Sequence, residues 1–227
     1  MKIRTVIAGN VALFLLATMS LPAADQLTTF SARSGGKMRI EGTANIIHPT
    51  WQIESPTIGG MIQVGPGFPT EPGQTVPLGK VEAKGDVFVP VRSLKSVEED
   101  GKHYSDRMDE VTYEHLKEPL FKKIFYHLTE LTLKEAPKSK DAPYVFDAKG
   151  DLAICGVTNH TSMVVNILPL ADKKLEITGK TAVKMTDYQV KPVDINLVLG
   201  HITTGDEVKL IFKWVVGPAR VATTESK

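Results

Sequence analysis

The chain has 227 residues, 42% hydrophobic and 23% charged, and its 27 Lys and Arg stand against 26 Asp and Glu for a formal net charge of +1. That balance excludes a disordered protein, and so small a charge gives no electrostatic case for a nucleic-acid partner or an anionic membrane surface. One cysteine excludes both an intrachain disulfide framework and a thiolate-rich metal site, leaving a neutral chain long enough to bury one substantial core.

The first residues read as an address. Lys2 and Arg4 precede an apolar run from Val11 to Ala17 that extends to Met19, and Leu21-Pro22-Ala23-Ala24 follows, with small residues where a signal peptidase cuts. The layout predicts a secretory leader over residues 1–23, cleaved after Ala23 or Ala24, with an uncleaved N-terminal anchor as the alternative. The apolar core is shorter than the ~20 residues of a membrane span. Losing Lys2 and Arg4 leaves 25 basic against 26 acidic residues, a net charge of −1. The mature chain, 24–227, is expected to be one domain, periplasmic or secreted, and soluble.

From there the chain alternates. Met38, Ile40, Gly42, Ala44 and Ile46 share one parity, and Lys37, Arg39, Glu41, Thr43 and Asn45 the other. Residues 56–79 break the pattern with five Pro and six Gly and read as a long loop, with room for a short hairpin through Met61 to Val64. Alternation resumes from Val81 to Val91. Between Ser105 and Glu118, Met108, Val111, His115 and Leu116 recur at helical spacing. Ser105 is placed to cap this helix, Asp106, Asp109 and Glu110 suit the positive end of its dipole, and Pro119 stops it. A single short amphipathic helix of this kind is expected to plug or lid one end of the fold. In 124–133 the apolar parity switches after Leu128, predicting a bulge near Thr129 and Glu130. Further strands are predicted over 144–155, 162–170, 175–185, 195–203 and 207–216.

A period of two places one face on an apolar interior and one in water, as in antiparallel sheets. Several runs span ten or more residues, against a usual strand of about five or six. Gly42, Gly85, Gly150 and Gly179 fall in the inward register of four of them, where glycine lets a sheet bend and close. The prediction is an all-β fold, an antiparallel barrel of about eight strands. Its interior is either filled by side chains or holds one small ligand.

The later half is similar to a known pattern. The run Phe146-Asp147-Ala148-Lys149-Gly150-Asp151-Leu152-Ala153-Ile154-Cys155-Gly156-Val157-Thr158-Asn159 resembles the G-x-L-t-i-x-G-v-T strand of the YceI-like family. Residues 89–96 resemble that family's strand before its helical insertion. Met108, His115-Leu116 and the run from Phe121 to Tyr126 resemble its helix and return strand. Lys184 to Pro192 is similar to its late loop, with Met185 or Thr186 where an arginine is frequent, and Gly205-Asp206-Glu207-Val208 to the entry of its last strand. The resemblance covers roughly 30–216. It implies an exported, elongated, lipocalin-like antiparallel barrel that holds an isoprenoid chain, a quinone-like molecule or another amphiphile in its lumen, often as a homodimer.

Enclosing hydrocarbon is sufficient chemistry for such a role. Each methylene removed from water is worth about 0.8 kcal/mol, so twenty carbons give on the order of 16 kcal/mol gross. Ordering the chain offsets much of that. The lining candidates are Ile40 in the first run; Val87, Val89 and Val91 in the second; Phe146, Leu152 and Ile154; Ile177 and Val183; and Leu210 and Phe212 in the last. Ordinary core packing accounts for each of these equally well.

Motifs for chemistry are sparse. None of His48, His103, His115, His127, His160 and His201 stands in a pair spaced for one metal, and no nucleophile elbow, P-loop or dinucleotide glycine pattern is present. Cys155 shares its parity with Asp147, Lys149 and Asp151. It either faces outward, free to pair between chains, or is a small buried residue. The reading is an exported binding protein with no catalytic residue, metal or cofactor. The rivals are a barrel-mouth enzyme using His103, His115 or Asp106, and an interaction module whose lumen is simply packed.

Overall fold

The computed structural model describes residues 27–45, 49–197 and 200–219; the predicted leader, Ile46 and His48 lie outside them. Fourteen strands and one α-helix follow in order: β1 (Thr28–Ala32), β2 (Lys37–Thr43), β3 (Thr50–Ser55), β4 (Gly59–Val64), β5 (Gly79–Val81), β6 (Ala83–Pro90), β7 (Lys95–Val97), α1 (Asp106–His115), β8 (Lys123–Glu135), β9 (Tyr144–Ile154), β10 (Val157–Pro169), β11 (Leu175–Lys184), β12 (Asp194–Leu197), β13 (Gly200–Thr203) and β14 (Glu207–Pro218).

The sheet runs β1-β4-β6-β8-β9-β10-β11-β14 and closes on itself where β14 meets β1, Phe30 opposite Pro218 and Ala32 opposite Val216, making an eight-stranded antiparallel barrel. Three walls are kinked strands. β1 continues as β2, β3 as β4, and β6 as β7, so that β2 pairs the first half of β14 and β7 pairs β3. The interior follows the parity of the sequence. Along β9 the buried positions are Tyr144, Phe146, Ala148, Gly150, Leu152 and Ile154. The predicted bulge is present as a register shift between Leu128 and Glu130 against β9.

The inward glycines have a second role beyond bending. Trp51 lies across from Gly42 and Phe212 across from Gly179, and in each pair the ring covers the space where a Cβ would stand. The built Cβ would fall 2.2 Å from the Trp51 ring and 2.6 Å from Phe212. Tyr126 covers Gly150 in the same way, at 2.6 Å. An aromatic ring laid over a strand glycine restores the lost packing and pins register.

Three parts of the chain differ from the sequence reading. Gly59–Val64 is a full barrel strand between β1 and β6, and the loop shrinks to 65–78. Its Gly59-Gly60 start imitates a turn, but Gly60 is a point of close approach: its φ is +124°, and a Cβ there would sit 2.1 Å from the Asp86 carbonyl. Strands β1 and β3 carry too little alternation to stand out. Finally, in the predicted strand 195–203, β12 pairs with β13 as a separate two-stranded sheet outside the barrel.

Helix α1 closes one end of the barrel. Ser105 caps it, its hydroxyl accepting from the Met108 amide at 3.4 Å, with Asp106 and Asp109 in the first turn. Removing this cap, Ser105→Ala, is expected to lower stability by about 1 kcal/mol in urea unfolding. An unchanged midpoint at unchanged slope would show the cap to be idle. The opposite end is covered by the 65–78 loop, where Phe68 stacks on Phe146 with ring centroids 5.9 Å apart and the Tyr144 hydroxyl donates to the Gln74 carbonyl at 2.5 Å.

Candidate functional site

Between these two covers lies an apolar lumen of two chambers. The upper, toward the 65–78 loop, has a volume of about 130 Å³ and is walled by residues of eight strands, among them Ile62, Val89, Leu152, Ile177 and Trp214. The lower, of about 100 Å³, is walled by β2, β3, the ends of β9, β11 and β14, and one face of α1. Ile124 and Leu210 line both and form the waist between them. An apolar cavity of ~150 Å³ holds a molecule the size of benzene, so each chamber at rest takes about one isoprene unit. Longer tails require the walls to give. Met38 and Met163 above, and Met108 and Met185 below, are flexible side chains suited to that.

Few polar atoms face this space. The Tyr126 hydroxyl and the Trp214 indole N–H, both on residues of the upper chamber, have no hydrogen-bond partner among the described residues, and Trp214 is only 4% exposed. Burial, with the nearby Asp151 carboxylate, pushes the Tyr126 phenol up to about 12, so it stays protonated as a donor.

Of the lining candidates, Val87, Val89, Leu152, Ile177, Leu210 and Phe212 lie on the upper chamber. Ile40, Ile154 and Val183, with Leu210 again, lie on the lower. Val91 and Phe146 lie on neither. Val91 sits in the 3₁₀ turn Val91–Ser93 where β6 kinks into β7, and Phe146 is committed to its stack on Phe68. The sequence reading passed over the four methionines, Trp214 and Ile124, although Met38, Trp214 and Ile124 stood in its inward parity.

Of the residues of the enzyme reading, His103 and Asp106 come together and His115 stands apart. His103 is on the surface, Nε2 2.9 Å from Asp109 Oδ2 and 3.6 Å from Asp106 Oδ1. This trio is a candidate cation-binding group, but Asp109 is already engaged by Ser96 and Lys95, and Asp106 is open to solvent. His115 lines the lower chamber with Nδ1 2.8 Å from the Lys191 carbonyl.

Cys155 is buried, which corrects the outward alternative. β9 stops at Ile154, and Cys155 and Gly156, with φ of +51° and +79°, form the two-residue turn into β10. Its thiol donates to the Leu116 carbonyl at 3.1 Å, and burial raises its pKa although Lys117 opposes this. Alkylation at neutral pH is therefore expected to be slower in the folded protein than in urea, on the order of a hundredfold, by timed thiol labelling. Equal rates would place the thiol in solvent.

The profile of the YceI-like domain matches residues 26–216. Among solved structures, a polyisoprenoid binding domain from Saccharophagus degradans implicated in plant cell wall breakdown is similar with a TM-score of 0.59 at 8% identity, covering 86% of this chain and 100% of that one. Burkholderia cenocepacia BcnA is similar with a TM-score of 0.50 at 13% identity, covering 78% and 95%. At these identities the likeness is one of fold. A search of curated proteins by sequence returns no match.

Proposed function

The chain belongs to the YceI-like family, and on that premise we propose that it is an exported carrier that shields the hydrocarbon of an isoprenoid or other amphipathic lipid inside its barrel, without covalent chemistry. The observation that carries this reading is the lumen itself, an apolar interior with room in two adjoining chambers and methionines in both. The solved relative described as a polyisoprenoid binding domain supports the class of ligand. Burial of tail carbons at about 0.8 kcal/mol per methylene supplies the affinity, and the side chains displaced from the waist determine how much of it is lost.

The test is purification from the native host in mild buffer, solvent extraction and mass spectrometry. An isoprenoid recovered in stoichiometric amount supports carriage. An empty extract, together with no change in tryptophan fluorescence on adding isoprenoid quinones, removes it. Trp214 and Trp51 line the upper and lower chambers, so either would report a tail.

A further inference from the structure

The barrel wall has a seam. β10 is paired with β9 from Ile167 down to Val157 opposite Ile154, and β11 with β14 up to Lys184 opposite Glu207. Between β10 and β11, however, the ladder stops at Val164 opposite Lys180. Beyond that point β10 is next tied only past the end of β11, where the Asn159 side-chain amide donates to the Asp187 carbonyl, in the 3₁₀ turn Met185–Tyr188, at 2.9 Å. Between these ties the wall holds no interstrand ladder. Met163 and Phe212 line both the upper chamber within and a groove on the outer face, and Thr181 stands on the inner side. The Phe212 ring, from β14, rests on Gly179 beside the last rungs of that ladder, and Met163 follows directly beyond them on β10.

The groove outside is amphipathic. Val164, 52% exposed, and Ile211 give it an apolar floor, and its rim carries Lys37, Arg39, Lys149, Lys180 and Lys213 against one acid, Asp147. Most of these cations are engaged. Lys37 and Arg39 share Glu54 at 2.7 Å each, and Lys149 meets Glu130 at 2.7 Å. Lys213 reaches Glu176 only at 3.9 Å, and Lys180 makes no ion pair among the described residues. Lys180 is the register partner of Ile211, and Lys213 lies two residues further along the same strand, so the two are diagonal neighbours on the outer face.

We propose that the window between β10 and β11 is the portal of the lumen, and that Lys180 with Lys213 seats the anionic headgroup, a phosphate ester, of a lipid whose tail passes between Met163 and Phe212. This rests on the lumen reading above and narrows its ligand class. An anion bridging two ammonium groups gains charge-assisted hydrogen bonds that a neutral alcohol of the same tail does not. The headgroup remains in water and only hydrocarbon crosses the wall, so no buried charge is created.

The experiment compares farnesyl phosphate, farnesol and inorganic phosphate on the mature full-length protein by calorimetry. The phosphate ester is expected to bind about tenfold more tightly than the alcohol. That ratio should fall to about one in Lys180→Gln/Lys213→Gln and persist in Lys180→Arg. Inorganic phosphate at millimolar concentration should not displace the ester, because the tail is what holds it. A ratio unchanged in the double variant overturns the headgroup seat, as does phosphate alone competing for the site. Farnesol binding with no gain for the ester defeats this inference and leaves the lumen reading standing; failure of both lipids defeats the two together. For the portal, Ser162→Cys carrying a bulky maleimide adduct on the outer lip is expected to slow farnesol association at least about tenfold. The same adduct on Lys138→Cys, in the β8–β9 loop, should not. Equal rates for the two adducts overturn the portal.

Discussion

Replacing Asp109 with Ala is expected to remove about 3–5 kcal/mol of stability, enough to free α1 from the barrel end. The carboxylate is 2% exposed. It accepts from the Ser96 amide at 2.7 Å, the Ser96 hydroxyl at 2.8 Å, and Lys95 and His103 at 2.9 Å each. It is the bond between the helix and β7, the strand that has no barrel partner on its far side. Truncation leaves the Ser96 amide buried without an acceptor, at about 1–3 kcal/mol. The lost pair with Lys95 adds less, because that side chain is half in water. Burial alone would raise the Asp109 pKa, but the Ser96 amide, Lys95, the Ser96 hydroxyl and His103 outweigh it and hold the carboxyl down to about 2. A carboxyl depressed on folding stabilises above its ordinary value near 3.8 and loses that contribution as pH falls toward about 2. Urea midpoints measured between pH 5 and pH 2 should therefore decline steeply in the parent and less so in Asp109→Asn. Parallel curves would show that the carboxylate contributes nothing to acid sensitivity.

Leu210→Ala should cost about 2–5 kcal/mol and change what the protein holds. Leu210 is buried at the waist and touches both chambers. Deleting its isopropyl group is expected to join them into one longer cavity. The stability lost is the transfer energy of the removed carbons plus the emptiness left behind. A tail that fills that emptiness returns part of it by mass action, about 2.7 kcal/mol at a hundredfold excess over Kd. The expected pattern is a melting temperature well below the parent when bare, and a larger rise on adding geranylgeraniol than the parent shows. If lipid raises both equally, the waist does not limit the ligand; if it raises neither, the chambers are packing defects without a role.

The long strands were legible because a half-buried antiparallel strand writes its geometry directly as parity; β9 and β14 need nothing else. The bulge in β8 was legible for the same reason, as a break in that parity. β4 was hidden by Gly59 and Gly60, which in isolation mean a turn and only in the barrel mean close approach to β6. Nine of the eleven lining candidates reach the chambers because inward parity is a necessary condition for doing so. Val91 and Phe146 miss because parity cannot show where a strand kinks or which inward ring a distant loop will cover. The seam beside Met163 depends on where two ladders cease to register, a relation between strands that no single run of residues records.

The first strand of this barrel is zipped to the last: β1 finds its partners on β4 and on the final residues of β14. A chain threaded through a translocon amino end first would present β1 long before its second neighbour emerged. Closing a loop that spans nearly the whole polypeptide comes late, after most of the other pairings. Until Pro218 arrives, every partial sheet has two open edges and cannot lock. Such a topology commits the barrel to closure only when its last strand is available.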